Sequence, residues 1–321
     1  MEAYASTFFN FTVNVLVTGA TGFIGQRLCL RLREAGHNIR AFSRSGSGLE
    51  DTKATFRLDL ANEDLPSESL QGVDCVYHLA GIAHRQGRGL PYGPVNYEAT
   101  VKLALLAESS GVRRFVFLSS VKAMGRTATG ACRSEEDCTV PEDAYGLSKW
   151  MAEEALRHKF SESSMAVYII RPALVYGPRA RGNLQLMARM VAMGLPRPPG
   201  LGGRSMVSRD DLVALMLQAG REGPPGVHTW IATDGEVYSA RRIYDAMRIS
   251  AGKSPGVAWC PEWAWRLAAR IADSLGRSVE THWEKVFGTE VYSAERVRLE
   301  TGWTPEQTLE QVFSAQGMTR H

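Results

Sequence analysis

Three glycines, at positions 19, 22 and 25, stand between an apolar, β-branched run, Val13-Asn-Val-Leu-Val-Thr18, and a segment carrying Leu28, Leu30 and Leu32. The run reads as a buried strand and the leucine segment as an amphipathic helix. A strand that turns on glycines straight into a helix is the setting of a phosphate-binding turn. Gly19 permits the tight turn. Gly22 lets a pyrophosphate approach the backbone amides at the positive end of the helix. Gly25 allows helix and strand to pack closely. Thr21, Phe23 and Ile24 complete the stretch expected to face the phosphates. The spacing is G-x-x-G-x-x-G, so the usual G-x-G-x-x-G fingerprint is absent.

Strand–helix alternation continues through residues 13–175, which predicts an α/β fold, a Rossmann-type doubly wound parallel sheet. The second strand, Asn38-Ile-Arg-Ala-Phe-Ser-Arg44, ends where an acidic side chain would bind the ribose hydroxyls of NAD. Ser43 and Arg44 stand there instead. A guanidinium pairs with a 2′-phosphate that a carboxylate would repel, so NADP(H) is the expected cofactor and NAD(H) the second choice. Asp59-Leu60 is placed to receive the adenine, with helix capping as the competing role for Asp59. Leu79, Ala80 and Gly81 form a small-residue loop that can lie on the cofactor. His78, inside an apolar run, reads as a satisfied core histidine.

Tyr145 and Lys149 are four residues apart, about one helical turn, and so share a face. A free tyrosine, with a pKa of about 10, is a poor acid or base near neutrality. An adjacent ammonium favours its phenolate. A dinucleotide turn followed by this pair describes a cofactor held against a proton-transferring tyrosine.

In order along the chain, the glycine turn, Asp59-Leu60, His78-Leu-Ala-Gly81, Asn96-Tyr-Glu-Ala-Thr100, Phe115-Val-Phe-Leu-Ser-Ser120, Tyr145-x-x-x-Lys149, Arg171-Pro-Ala-Leu-Val-Tyr-Gly-Pro178 and Thr301-Gly-Trp-Thr-Pro305 closely resemble the extended branch of the short-chain dehydrogenase/reductase family. That branch holds the nucleotide-sugar epimerases, dehydratases and ketoreductases. The resemblance implies a dinucleotide domain over 13–178, to which later segments return. It also implies a smaller, mainly substrate-binding α/β domain over 179–321. It places Ser120 beside Tyr145 and Lys149 as the third catalytic residue, polarising the substrate oxygen. Pro172 then lies in the cofactor set and Lys122 in the substrate set. Asn183 and Arg204 map onto the family's ligands of a UDP-sugar diphosphate. The family's Arg-Asp pair is Arg204-Ser205 here, and its histidine is Ser208.

Val121-Lys122 replaces the Asp-Glu pair typical of the dehydratases. Ala83 replaces a lysine common in UDP-galactose 4-epimerases. Leu-Ser-Ser-Val-Lys-Ala-Met-Gly and Arg-Gly-Asn-Leu-Gln-Leu-Met resemble a subgroup in bacterial surface-polysaccharide pathways. The leading expectation is an NADP(H)-dependent reductase of a UDP-4-keto(-6-deoxy) sugar. The close alternative is a UDP-sugar 4-epimerase that retains NAD. A remote alternative is a non-catalytic, NAD(P)-binding regulator. The family also implies a homodimer.

The formal charge of +3 on 321 residues is mild and scattered, which argues against a nucleic-acid partner. Five cysteines include no C-x-x-C pair, so the expectation is reduced thiols, a cytoplasmic location and no metal. No apolar stretch nears the roughly 20 residues of a membrane span. The first residues read as a short extension and not as a signal peptide. Residues 262–275 form an amphipathic helix with two tryptophans. Packing within the substrate domain is the expected use of that helix, and a membrane-surface role the alternative.

Overall fold

The computed structural model describes residues 12–46, 55–83, 90–126, 130–178, 180, 182–221, 223–257, 259–275 and 281–318. In chain order β1 (Asn14–Thr18) leads through the glycine turn into α1 (Phe23–Glu34), then β2 (Asn38–Ser43), β3 (Thr55–Arg57) and β4 (Cys75–His78). α2 (Ala99–Ser109), β5 (Arg114–Leu118), the short β6 (Cys132–Arg133), α3 (Ala144–Phe160) and β7 (Ala166–Pro172) follow. Next come β8 (Leu174–Tyr176), α4 (Asn183–Ala192), β9 (Gly203–Ser208), α5 (Arg209–Ala219), β10 (Gly226–Ala232) and β11 (Val237–Tyr238). The chain ends with α6 (Ala240–Ser250), α7 (Glu262–Leu275), α8 (His282–Phe287), β12 (Thr289–Tyr292), α9 (Glu295–Thr301) and α10 (Leu309–Met318).

The chain divides into two compact units. The first comprises residues 1–126, 138–171 and 213–230. Its described strands form a seven-stranded sheet in the order β10-β7-β5-β4-β1-β2-β3. The pairs β1–β2, β2–β3, β1–β4, β4–β5 and β5–β7 are all parallel. This is the Rossmann-type α/β sheet that the strand–helix alternation predicts. Its inner strands β1, β4, β5 and β7 are mostly apolar and buried, because helices cover both faces of such a sheet. β7 is buried along its whole length. Leu16, Val76, Phe115, Val167 and Ile169 from the sheet meet Leu103, Leu156 and Phe160 from α2 and α3 in one core. The strand order reverses at β1: β2 and β3 build outward on one side, β4 onward on the other. Loops leaving the carboxyl ends of β1 and β4 therefore flank a switch point, where open α/β sheets take their ligands.

The second unit comprises residues 127–137, 172–212 and 231–321. Its described strands run in the order β11-β9-β12-β6, with β8 also on β9. β6 comes from far upstream and pairs with β12, setting Cys132 against Val291 and Arg133 against Tyr292. Leu184, Met206, Tyr244, Phe287 and Leu309 lie in this unit's core. Asp234 accepts hydrogen bonds from Tyr176 at 2.8 Å and Tyr238 at 2.7 Å, joining β8 and β11 through one carboxylate.

Candidate active site

The glycine turn divides its work unequally. Gly19 takes φ +70°, a region that side chains disfavour, and a Cβ there would meet Ala80 N and the Leu79 carbonyl carbon at 2.7 Å. A Cβ on Gly25 would lie 2.3 Å from the Gly19 carbonyl, so α1 packs too closely on the turn for any side chain. Gly22 differs. A Cβ there would meet the Gly19 carbonyl at 3.1 Å and, chain neighbours aside, no other atom of the described residues within 4 Å. Gly22 also starts α1 with no side chain capping the helix. An open flank at an uncapped helix N-terminus is a fit for a pyrophosphate. Thr21, Phe23 and Ile24 are half-buried around it.

At the end of β2, Ser43 is buried and its Oγ accepts from Gly46 N at 3.1 Å. Arg44 is exposed. The β2–β3 register sets Ser43 opposite Arg57, which is also exposed. Two arginines therefore mark this strand end, and the second escaped the sequence reading because it depends on strand pairing. Asp59 closes its own turn: its carboxylate accepts from Ala61 N at 3.2 Å and Asn62 Nδ2 at 3.1 Å. Its next neighbour, Leu60, packs against the sheet core.

The loop after β4 is anchored at both ends. Leu79 N donates to the Thr18 carbonyl at 3.2 Å and Ala80 N to Thr18 Oγ1 at 3.3 Å. Asn96, fully buried in a π-helical turn over Gly93–Glu98, accepts from Ile82 N at 2.8 Å. Its Nδ2 donates to the Ile82 carbonyl at 3.1 Å and to Ser148 Oγ at 3.0 Å. Asn96 thus ties the loop to α3. A Cβ on Gly81 would sit 3.4 Å from Lys149 Nζ, so this loop lies directly against the lysine. His78 is sealed, with Thr18 Oγ1 at 2.7 Å and Thr100 Oγ1 at 2.9 Å on its two ring nitrogens. Burial, then the nearby Lys149 charge, hold its pKa down at about 3, so the ring is neutral.

Asp143 caps α3 by accepting from Gly146 N at 2.8 Å, which fixes the first turn and the half-buried Tyr145. Ser120 follows β5 and caps the 3-10 turn Val121–Met124, accepting from Lys122 N at 3.2 Å. Its side chain lies close enough to Tyr145 to favour the ionised phenol. Lys149, buried one turn further along, donates to the Leu118 carbonyl at 2.8 Å and lies 4.5 Å from the centre of the Phe117 ring. Ser120, Tyr145 and Lys149 are therefore gathered in the first unit. Lys122 is half-buried in the turn beside them.

The electrostatics differ from the sequence argument. Burial pushes the Tyr145 phenol up to about 12, opposed by the nearby Ser120 side chain and reinforced by Asp143 and Tyr92. Burial lowers Lys149 to about 8, and Glu153 pulls the other way. In the chain by itself desolvation outweighs any ammonium effect on the tyrosine, because Lys149 bonds to Leu118. Glu153 is the second residue the sequence reading missed. It sits on α3 one turn beyond Lys149, fully buried. It accepts from Ser119 and binds the Arg171 guanidinium, Nη2 to Oε2, at 2.6 Å.

The remaining assignments fall in the second unit. Pro172 closes β7 and Asn183 opens α4; the Asn183 side chain lies outside the described residues. Arg204, on β9, is 9 % exposed and already has internal partners: Glu290 Oε2 at 2.9 Å and the Glu284 carbonyl at 2.6 Å. Its Nε–H is buried without a partner among the described residues. No described group of His, Cys, Asp or Glu is placed to hold a metal ion, and no described helix is long and apolar enough to cross a membrane.

Residues 15–232 match the family described as "NAD dependent epimerase/dehydratase family". A UDP-glucose 4-epimerase of Vibrio cholerae is 32% identical over 310 residues, covering 94% of this chain and 93% of its own length. The solved structure of MoeE5 in complex with UDP-glucuronic acid and NAD is 25% identical and superposes with a TM-score of 0.76 over 96% of this chain and 99% of that one. The UDP-glucuronic acid 4-epimerase of Bacillus cereus, solved with NAD, shares the fold at 20% identity, with a TM-score of 0.75 over 95% of this chain and 98% of that one.

Proposed function

The chain belongs to the NAD dependent epimerase/dehydratase family, and from that footing we propose that it is an NADP(H)-preferring reductase of a UDP-4-keto(-6-deoxy) sugar. The observation that carries the choice of reaction is the pair of exposed arginines, Arg44 and Arg57, at the β2–β3 strand end. A 2′-phosphate finds charge-assisted partners there. A reductase must exchange its cofactor at every turnover, and a cell's reducing equivalents for biosynthesis are carried chiefly by the phosphorylated dinucleotide. The glycine turn, the Leu79–Gly81 loop, Tyr145, Lys149 and Pro172 would hold that cofactor. When bound, it supplies the two electrons that turn a sugar carbonyl into an alcohol.

The chain's own residues handle the oxygen and its proton. Tyr145, held as a neutral phenol, is in the protonation state that a reduction consumes. It passes its proton to the sugar O4 as negative charge develops there. Ser120, close to Tyr145, donates to the same oxygen and fixes its position. Lys149 orients the loop at Gly81 and places a positive charge near the phenol once it has lost its proton. Arg204, through its spare Nε–H, and Asn183 would bind the diphosphate, with Lys122 toward the sugar.

A second reading is a UDP-sugar 4-epimerase that uses the same residues and retains NAD. It is favoured by the Vibrio cholerae UDP-glucose 4-epimerase, which matches nearly the whole chain. Incubation of the purified protein with UDP-4-keto-6-deoxy-GlcNAc and NADPH decides between them. Stoichiometric NADPH consumption supports the reductase. Stoichiometric bound NAD⁺, together with interconversion of UDP-GlcNAc without added cofactor, overturns it in favour of the epimerase.

A further inference from the structure

The two residues before Ser120 are both held by α3. Leu118 is held through its carbonyl, which accepts from Lys149 Nζ at 2.8 Å. Ser119 is held through its side chain, whose hydroxyl donates to the Glu153 carboxylate. The Ser119 N–H also donates to the Ile170 carbonyl of β7 at 2.8 Å. Ser119 and Glu153 are both buried, so the bond between them is closed to solvent.

The carboxylate is itself fixed. Arg171 Nη2 and Arg157 Nη2 lie 2.6 and 2.8 Å from Glu153 Oε2, and Arg171 Nε lies 3.1 Å from Oε1. Two guanidiniums satisfy the charge of Glu153 without help from a serine. For fastening helix to strand the serine is redundant. What its hydroxyl adds is a rigid attachment on the residue just before Ser120. Ser120 lies past the last paired residue of β5, Leu118, with an extended backbone of φ −164° and ψ 151°, and a 3-10 turn follows it. Tyr145, Lys149 and Glu153 stand on successive turns of one face of α3. The helix face that carries Tyr145 therefore also fixes the strand end that carries Ser120. We propose that Ser119, anchored on Glu153, is a positioning residue that sets where the Ser120 hydroxyl stands relative to Tyr145. The inference rests on Ser120, Tyr145 and Lys149 being the reacting set, and it holds for a reductase and an epimerase alike.

Magnitudes separate this role from a merely structural one. Losing one hydrogen bond whose acceptor keeps two other partners changes stability little. Misplacing a reacting group by about 1 Å can cost about a hundredfold in rate.

The test is Ser119→Ala in the full chain. Turnover is followed on whichever reaction the parent performs, UDP-4-keto-6-deoxy-GlcNAc with NADPH or UDP-GlcNAc alone. The variant loses about tenfold or more in kcat, while KM for the UDP-sugar moves by about twofold or less. Its thermal midpoint falls by about 4 °C or less. In a Ser120→Ala background, Ser119→Ala costs about twofold or less, because no hydroxyl is left to misplace. Amide hydrogen exchange across residues 118–125, a readout independent of turnover, rises about tenfold or more. Parental kcat, unchanged exchange, or full additivity with Ser120→Ala each overturns the proposal. Faster exchange together with parental turnover in Tyr145→Phe sinks the catalytic reading first, and the positioning role with it.

Discussion

Glu153 and Arg171 form a two-point ion pair in which neither side chain is more than 1% exposed, with Nε of the arginine 3.0 and 3.1 Å from the two carboxylate oxygens. The pair fastens α3 to β7, one helical turn from Lys149. It also completes a regular stitching of three consecutive residues to one helix. The Leu118 carbonyl accepts from Lys149, Ser119 donates to Glu153, and Ser120 lies near Tyr145. The positions 145, 149 and 153 are successive turns of one helix face. Breaking the pair by Glu153→Gln leaves a buried guanidinium without its counter-charge and is expected to cost about 3–5 kcal/mol in urea unfolding. The double variant Glu153→Gln/Arg171→Met should recover most of that loss. A single variant as stable as the parent would show that the pair contributes little.

Tyr145→Phe should lower turnover about a hundredfold or more and leave dinucleotide affinity nearly unchanged. The substitution removes the hydroxyl proposed as the proton donor, whereas the ring and its contact with Tyr92, 6.2 Å between centres, are retained. Turnover and cofactor titration on the same preparation check both halves. Near-parental turnover removes Tyr145 from the mechanism.

Lys149 gives a pH signature in stability. Its folded pKa, about 8, lies below the ordinary 10.5, because burial disfavours the ammonium. Between those two values the unfolded chain binds more protons, so the lysine makes stability rise with pH across about 8–10.5. Below 8 its full cost, of order 3 kcal/mol, is present; above 10.5 it has gone. Comparing the parent with Lys149→Met by denaturant unfolding at pH 7.5 and again near pH 10.5 should show the parent gaining relative to the variant. Parallel pH dependences would contradict the assignment.

Cofactor selection is expected to follow the arginines. NADPH should bind more tightly than NADH by one to two decades, the roughly 1.5–3 kcal/mol of a charge-assisted phosphate contact. Arg44→Asp should reverse the order. Arg57→Ala should narrow the gap without touching NADH affinity. Equal dissociation constants for the two cofactors in the parent would remove the basis for the NADP(H) reading.

Arg204→Ala and Asn183→Ala should raise KM for a UDP-sugar much more than they lower kcat, since the diphosphate they are proposed to hold does not react. Arg204 also neutralises Glu290. Arg204→Lys therefore serves as the control that keeps the charge but loses the fork. If UDP binds all three variants as tightly as the parent, the diphosphate is held elsewhere.

What the chain order determined by itself was local. Backbone sterics and helical period decide that Gly19 must turn with positive φ, that β1 runs into α1, and that Tyr145 and Lys149 share a face. Each involves residues within a turn or two of one another, so spacing and residue type suffice. Only the tertiary structure decided which distant groups meet. Strand register put Arg57 beside Ser43. Sheet and helix packing brought Ser120 to Tyr145, Asn96 to the Ile82 backbone, Glu153 to Arg171 and Glu290 to Arg204. The physical reason is that a buried polar or charged group must find a partner, while its sequence neighbours do not say which one. That choice is made when the whole core closes. For this reason Arg204, legible as a buried cation in search of an anion, was given a carboxylate by a strand 86 residues away.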